Sequence, residues 1–218
     1  MTEKSTQKNF VEYKVVLVGN SDAGKTQFFK KINTGVLNGR NISSIGADKS
    51  TLYFKDIETN INNKITKEEF NIIIFDSAGQ DRYRSLAKSY FNATDIFIIF
   101  YNITNKNSFL DIEKWLDDIK EKLSDWKTGK YLIALLGNHL DLVEEDQSKR
   151  EVTEEEAVSF CEECGIYWVG ECNLKSFSQN QLTDMLLSIW KKYVEKFGIK
   201  EAPIKIEPKL MKKKNKCH

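Results

Sequence analysis

The sequence predicts an α/β protein: a three-layer sandwich around a six-stranded, mostly parallel sheet with one antiparallel edge strand. Apolar runs alternate along the chain with stretches of helical period, as in parallel strands joined by right-handed helical crossovers. Two of the runs, Asn71-Ile-Ile-Ile-Phe75 and Ile96-Phe-Ile-Ile-Phe100, are almost entirely apolar, as expected of strands covered on both faces.

The individual elements follow from these patterns. The predicted strands are residues 12–18, 51–58, 70–75, 95–101, 131–136 and 166–169. The predicted helices are residues 25–32, 82–91, 108–123, 153–164 and 181–197. No helical pattern separates strands 51–58 and 70–75, so we expect an antiparallel hairpin at one edge, with a polar turn over residues 59–69.

Composition favours one intracellular domain. A chain of 218 residues suffices for a single α/β domain, which we assign to residues 10–198, between a flexible N-terminus (1–9) and a flexible basic tail (199–218). The 33 basic and 32 acidic residues give a net charge of +1, so we expect no nucleic-acid partner. The four cysteines show no disulfide framework, and the N-terminus has no signal-peptide core.

The most informative motif is Gly19-Asn-Ser-Asp-Ala-Gly-Lys25-Thr26, which follows a predicted strand and opens a predicted helix. This G-x-x-x-x-G-K-[ST] pattern in that context predicts a phosphate-binding P-loop; the alternative is a glycine-rich turn. Backbone amides and the helix N-terminus favour an anion, the lysine reaches the phosphates, and the threonine hydroxyl is a candidate Mg²⁺ ligand. The candidate phosphate contacts in the loop are Gly19, Ser21, Asp22, Ala23, Gly24, Lys25 and Thr26.

Further polar segments follow other predicted strands. Asp76 begins Asp-Ser-Ala-Gly79-Gln80, where a carboxylate can hold a Mg²⁺-bound water and a glycine N–H can meet a γ-phosphate. In Asn138-His139-Leu-Asp141 the last carboxylate can accept hydrogen bonds from guanine N1–H and the exocyclic amine; alternatively it is a helix N-cap. The remaining candidates for the guanine site are Asn173, Leu174 and Lys175, in a loop able to offer a backbone N–H to guanine O6.

Together these motifs resemble the Ras superfamily of small GTPases, and most closely its Rab branch, over residues 10–198. Ile45-Gly-Ala-Asp48, Asp76-Ser-Ala-Gly-Gln-Asp-Arg-Tyr-Arg-Ser85, Tyr101-Asn-Ile-Thr104 and Asn107-Ser-Phe109 are all similar to Rab segments. Ser44 follows Lys25 by nineteen residues, the spacing expected of the switch I hydroxyl. A generic P-loop ATPase is the alternative, but the motifs occur in the family's order.

The resemblance implies the P-loop NTPase (G-domain) fold and a switch that cycles between GTP and GDP and hydrolyses GTP slowly without an activating protein. In the resembled mechanism Thr26 and Ser44 ligate Mg²⁺, Asp76 acts through a water, and Gln80 orients the attacking water; alternatively Gln80 is a solvated loop residue. The γ-phosphate would order switch I (residues 37–48) and switch II (residues 78–90). Exchange factor, activating protein and effectors would bind there and on the hairpin.

Several positions depart from the family pattern. Asp22 stands where a glycine or small polar residue is usual, and we hypothesise that its carboxylate speeds nucleotide exchange. Leu37 replaces an aromatic residue against the guanine, and His139 replaces a lysine. The hairpin is longer than is typical, and Lys49 and Phe75 replace the phenylalanine and tryptophan of the effector-facing surface, so effector choice does not carry over.

The tail suggests membrane attachment. Lys212-Lys-Lys-Asn-Lys-Cys217-His218 places one near-terminal thiol beside a basic run. Rab proteins are commonly prenylated on terminal cysteines, and lysines attract anionic lipid, which predicts a cytoplasmic protein peripheral to the cytosolic face of endomembranes. Here there is one cysteine rather than two, and the alternative is an unmodified, solvated tail.

Two other functions remain open. The departures at Asp22 and Leu37 also suit a nucleotide-bound interaction module with little or no GTP turnover. A P-loop nucleotide kinase is the third possibility, but it needs an arginine-rich lid, and the arginines here are not clustered in that way. The leading prediction is a Rab-like GTPase acting in vesicle traffic, with Mg²⁺ as cofactor and GTP and GDP as substrate and product.

Overall fold

The computed structural model describes residues 10–33, 42–44, 47–61, 63–77, 84–123 and 129–201. The strands within this part are β1 (Val11–Gly19), β2 (Ile42–Ser44), β3 (Ala47–Ile61), β4 (Lys64–Ser77), β5 (Ile96–Asn102), β6 (Leu132–Asn138) and β7 (Tyr167–Cys172). They form one sheet in the order β2-β3-β4-β1-β5-β6-β7. Strands β4, β1, β5, β6 and β7 are parallel, whereas β3 runs antiparallel to β4 and β2 antiparallel to β3. The predicted fold class is confirmed, and β2 adds a short strand at the edge.

Helices cover both faces of this sheet. They are α1 (Lys25–Asn33), α2 (Arg84–Ser89), α3 (Lys106–Leu110), α4 (Ile112–Lys122), α5 (Leu140–Glu145), α6 (Glu154–Cys164) and α7 (Gln179–Phe197), and a 3-10 turn (Gln147–Lys149) follows α5. The prediction of one continuous helix over residues 108–123 was wrong, because the chain breaks at Asp111, whose carboxylate accepts a hydrogen bond from Asn20 Nδ2 at 2.7 Å. No helix in the described ranges is long and apolar enough to cross a bilayer.

Two hydrophobic cores make the sandwich. One lies between the sheet and the pair α1 and α7, where Tyr13, Phe28 and Trp190 are fully buried. The other lies on the opposite face under α4 and α6, and contains Trp115 and Ile119. Because β1 alternates its side chains between these cores, its C-terminal end is fixed from both sides, and this end carries the glycine-rich loop.

The predicted antiparallel hairpin is confirmed, but its turn is shorter than predicted. Residues 59–69 are not a polar turn: β3 continues to Ile61, paired with Lys64 at the start of β4. Thr59 is buried, its hydroxyl lies 3.1 Å from that of its cross-strand partner Thr66, and Ile57 and Ile61 pack against the core under α7. The alternation of β-branched residues, hidden among Asn and Lys, therefore makes a strand. The register shifts between Phe54 and Ile57.

Candidate nucleotide-binding site

The glycine-rich loop lies at the C-terminal end of β1, and both of its glycines are needed there. A Cβ on Gly19 would lie 2.2 Å from the backbone oxygen of Phe100 on β5, and one on Gly24 would lie 1.9 Å from Asn138 Nδ2. Their φ angles are +133° and +97°, which side chains rarely adopt. The loop leads directly into α1 at Lys25, whose first-turn amides have no partner within the helix, so the local backbone is suited to an anion.

Lys25 is the charged group at the centre of this loop. Its side chain is buried, and its Nζ donates to Gly19 O at 2.8 Å and to Asn20 O at 2.7 Å. Burial lowers the pKa of Lys25 to about 8, although the carboxylates of Asp76 and Asp22 oppose that shift. A buried ammonium group that donates its hydrogen bonds to two neutral carbonyls favours the binding of an anion here.

Asp76 is the penultimate residue of β4 and pairs with Leu17 of β1, so it lies near this lysine. Burial raises the pKa of its carboxyl group, opposed by a hydrogen bond with Thr26 and by the charge of Lys25. Its Oδ1 atom is buried and has no hydrogen-bond partner among the described residues. An unpartnered carboxylate oxygen next to a threonine hydroxyl suits a water bound to Mg²⁺, so the residues present fit that cation.

The loop after β6 is joined to the glycine-rich loop by two consecutive residues. Asn138, which is buried, donates from Nδ2 to Ala23 O at 3.0 Å. His139 adopts a left-handed conformation (φ 73°), and its Nε2 lies 2.8 Å from the carbonyl oxygen of Asp22, which is itself left-handed (φ 63°). Two adjacent residues thus contact two adjacent carbonyls of the phosphate loop.

The loop after β7 lies next to these two loops. Asn173 is buried; its Oδ1 accepts from the backbone N–H groups of Lys175 and Ser176, and its Nδ2 donates to Glu144 on α5 at 2.6 Å. Leu174 is buried close to Gly24, and its carbonyl accepts a hydrogen bond from Lys31 Nζ on α1. The structure therefore brings the two predicted guanine loops and the phosphate loop to one end of the sheet. Asp141 lies in the first turn of α5, half-buried.

Comparison with known proteins identifies the family. The model of the Ras family matches residues 14–193 of this chain. The chain belongs to the Ras family. It is 32% identical over 157 residues to Ras-related protein Rab-30 of Homo sapiens, covering 72% of this chain and 69% of that protein. It is 31% identical over 168 residues to Ras-related protein Rab-19 of Xenopus laevis, covering 75% of this chain and 68% of that protein.

A third relative extends the match. Ras-related protein RabJ of Dictyostelium discoideum is 31% identical over 185 residues, covering 84% of this chain and 64% of that protein. The chain is therefore a divergent, Rab-like member of the Ras superfamily of small GTPase switches, as the order of its motifs predicted.

Some predicted site residues of this Rab-like chain lie outside the described part. These are Gly79, Gln80, Leu37 and Cys217, together with the side chain of Ser44, whose backbone ends β2. Of the loop residues that are described, Ser21 and Asp22 have exposed side chains, as does Thr26, while Ala23 is buried. Lys175 is exposed and its Nζ pairs with Glu145 on α5 at 3.0 Å.

Sequence reasoning missed the residue that fixes the phosphate loop from the other side. Asn20 accepts a hydrogen bond from Trp115 Nε1 at 2.9 Å and donates to Asp111, so the loop is tied to α4. Trp115 lies within the predicted helix over residues 108–123, and no sequence pattern links two residues that are 95 positions apart. A polar atom on a buried indole is the one signal that could have suggested a partner.

Proposed function

We propose that this Rab-like chain binds guanine nucleotides with Mg²⁺, cycles between GTP- and GDP-bound states, and hydrolyses GTP slowly until an activating protein binds. The observation that carries the proposal is the pair formed by the buried Lys25 ammonium group and the unpartnered Asp76 oxygen at the mouth of the glycine-rich loop. The ammonium group favours a phosphate and the carboxylate oxygen favours a metal-bound water, and a nucleotide with its cation supplies both.

Each part of the site then has one task. The loop amides and Lys25 would hold the phosphates, Thr26 and Ser44 would ligate Mg²⁺, and Asp76 would act on the cation through a water. Mg²⁺, when bound, neutralises charge on the β- and γ-phosphates. The Gly79 N–H would contact the γ-phosphate, and Gln80 would position the attacking water.

The loops after β6 and β7 would determine which base the site binds. Asp141 accepts from guanine N1–H and the exocyclic amine, a pair of donors that adenine lacks, while Asn138, His139 and Lys175 shape the pocket around it. Leu174 offers its backbone N–H to guanine O6, positioned by the contacts of Asn173. A site built to pair with polar groups rejects an analogue that lacks them, because its own buried groups are left unpaired.

Titration of the purified protein with GDP, GTP and ATP tests the binding half of this proposal. We expect tight binding of both guanine nucleotides and none of ATP, and a large loss of GDP affinity in Asp141→Ala. Asp184→Asn, an exposed carboxylate on α7, is the matched control and should bind as the parent does. Equal affinity for ATP and GTP would contradict the guanine assignment.

Single-turnover hydrolysis separates the switch from an interaction module that scarcely turns over. The parent protein should convert bound GTP to GDP and phosphate in the presence of Mg²⁺. The Gln80→Leu variant should do so more slowly. Tight GTP binding with no phosphate release, even with candidate activating proteins, would favour the module instead. In that case Asp22 and Leu37 are the first positions to restore toward the family pattern.

We extend this proposal to a role in vesicle traffic at the cytosolic face of endomembranes. Relatives with 31–32% identity named Rab support it, as does the basic tail with Cys217. Exchange factors, activating proteins and effectors would contact the switches and the hairpin. Mass spectrometry of native protein should find a prenyl group on Cys217; an unmodified thiol would remove the lipid anchor from the proposal.

A further inference from the structure

One face of the hairpin lies away from α1 and α7, and at its inner end the Phe75 ring packs on Tyr90, just after α2, with centroids 5.4 Å apart. On this face, which we call the outer hairpin face, Lys49, Thr51 and Tyr53 of β3 lie opposite Phe75, Ile73 and Asn71 of β4, respectively. All six are half-buried or exposed, whereas the alternate β4 residues Phe70, Ile72 and Ile74 are at most 1% exposed on the other side, under α1 and α7.

Both ends of the described chain meet at this face. The Phe10 ring packs edge-on against Tyr53 with centroids 5.0 Å apart. A groove of about 430 Å³ runs from there past Ile73 and Phe75, and Glu201, the last described residue, is part of its wall. The last described residue of the chain therefore lies at this groove.

Hydrogen bonds of Lys200 fix the direction in which the chain continues after α7. The N–H of Lys200 donates to the Tyr13 hydroxyl at 3.2 Å, and its Nζ donates to Glu12 O at 2.8 Å and to Asp95 Oδ2 at 3.0 Å. These contacts hold the segment after α7 against the starts of β1 and β5, directly beside the outer hairpin face.

The next residues have the pattern that such a face requires. The sequence continues Ala202-Pro-Ile204-Lys-Ile206, with apolar side chains at alternate positions, so an extended segment presents both isoleucines to one side. At about 3.3 Å per residue, Ile206 reaches roughly 17 Å from Glu201. The distance across the sheet from β1 to β3 is only about 10 Å, since neighbouring strands lie about 4.8 Å apart.

We propose that residues 202–206 lie in this groove, with Ile204 and Ile206 packed on Ile73 and Phe75, and that they cover the outer hairpin face. A protein partner that uses this face must displace the segment first. The contact is intramolecular, so it does not depend on protein concentration. The inference is independent of nucleotide chemistry and stands or falls separately from the proposed GTPase activity.

Photo-crosslinking in the full chain tests the contact. With benzoylphenylalanine at position 204, irradiation of dilute protein should join it to peptides containing residues 49–53 or 71–75 within one monomer. Ile73→Asp should lower that yield by about tenfold, because a carboxylate replaces an apolar contact. Ile65→Asp, at a hairpin position that is 70% exposed, is the matched control and should leave the yield unchanged.

Every other result overturns the proposal. Crosslinks between two copies would assign the face to self-association, and crosslinks to the groove between the hairpin tip and α7 would place the segment elsewhere. Absence of any crosslink would mean that the segment does not dock. GDP affinity measured on each variant distinguishes a lost contact from a lost fold. If Ile73→Asp does not fold, Ile204→Asp with Ile206→Asp repeats the test: with the photo-probe moved to position 53 on the outer hairpin face, this pair should abolish the crosslink to peptides that contain residues 202–206.

Discussion

The contact between His139 and the phosphate loop makes a specific prediction about nucleotide release. Its Nε2 lies 2.8 Å from the carbonyl oxygen of Asp22, so this side chain, together with Asn138, joins the loop after β6 to the glycine-rich loop. In the proposed function both loops hold GDP, so we expect its release to require that they move apart. We expect His139→Asn to release GDP faster, because asparagine tolerates the left-handed backbone but is too short to reach the carbonyl.

The size of the effect follows from the kind of contact. A hydrogen bond to a neutral carbonyl at a partly exposed position contributes about 0.5–1.5 kcal/mol. That range corresponds to an increase of about 2- to 10-fold in the rate of GDP release. His139→Ala should release GDP faster than His139→Asn does, since alanine in the left-handed region adds a strain of roughly 1–2 kcal/mol that asparagine largely avoids.

Displacement of a fluorescent GDP analogue by excess unlabelled GDP, at fixed pH and Mg²⁺, measures this rate. Lys149→Asn is the matched control, because it places the same residue on an exposed position of the 3-10 turn that follows α5. If both His139→Asn and Lys149→Asn release GDP at the parental rate, the imidazole contact does not hold the site closed.

Three further substitutions test other parts of the structure. Asp22→Gly should slow GDP release if its carboxylate speeds exchange, and an unchanged rate measured by the same displacement assay would reject that hypothesis. Gly24→Ala should abolish nucleotide binding in a titration, because its Cβ would lie 1.9 Å from Asn138 Nδ2 at φ +97°; Gly165→Ala, whose Cβ meets nothing within 4 Å, should retain it. Phe70→Ala should lower the free energy of unfolding in urea by about 3–5 kcal/mol, because the ring is buried and stacked on Trp190 with centroids 4.0 Å apart, and a loss below about 1 kcal/mol would contradict that packing.

The sequence predicted the sheet and the placement of the motifs because both depend on local patterns. A continuous apolar run identifies a covered strand, and the carboxyl ends of parallel strands meet at one edge whatever the loops between them do. For this reason Lys25, Asp76, Asn138 and Asn173 could be expected near one another without knowledge of any contact. The hairpin was predicted, but its strands were predicted too short, because their outer part consists of threonine and isoleucine among polar residues, a pattern that hydrophobicity alone assigns to a turn.

The contacts that tie the loops together lie beyond such patterns. Asn138 reaches Ala23 across 115 positions of sequence, and His139 reaches Asp22 across 117. In the sequence, Asp22 and His139 stand as two separate departures from the family pattern. In the structure they form one contact between two left-handed residues, so the effect of changing one depends on the other. Rates of GDP release for Asp22→Gly, His139→Asn and the double variant should therefore be non-additive, because glycine at position 22 frees the backbone whose carbonyl the imidazole contacts. Strict additivity would mean that the two departures act separately after all.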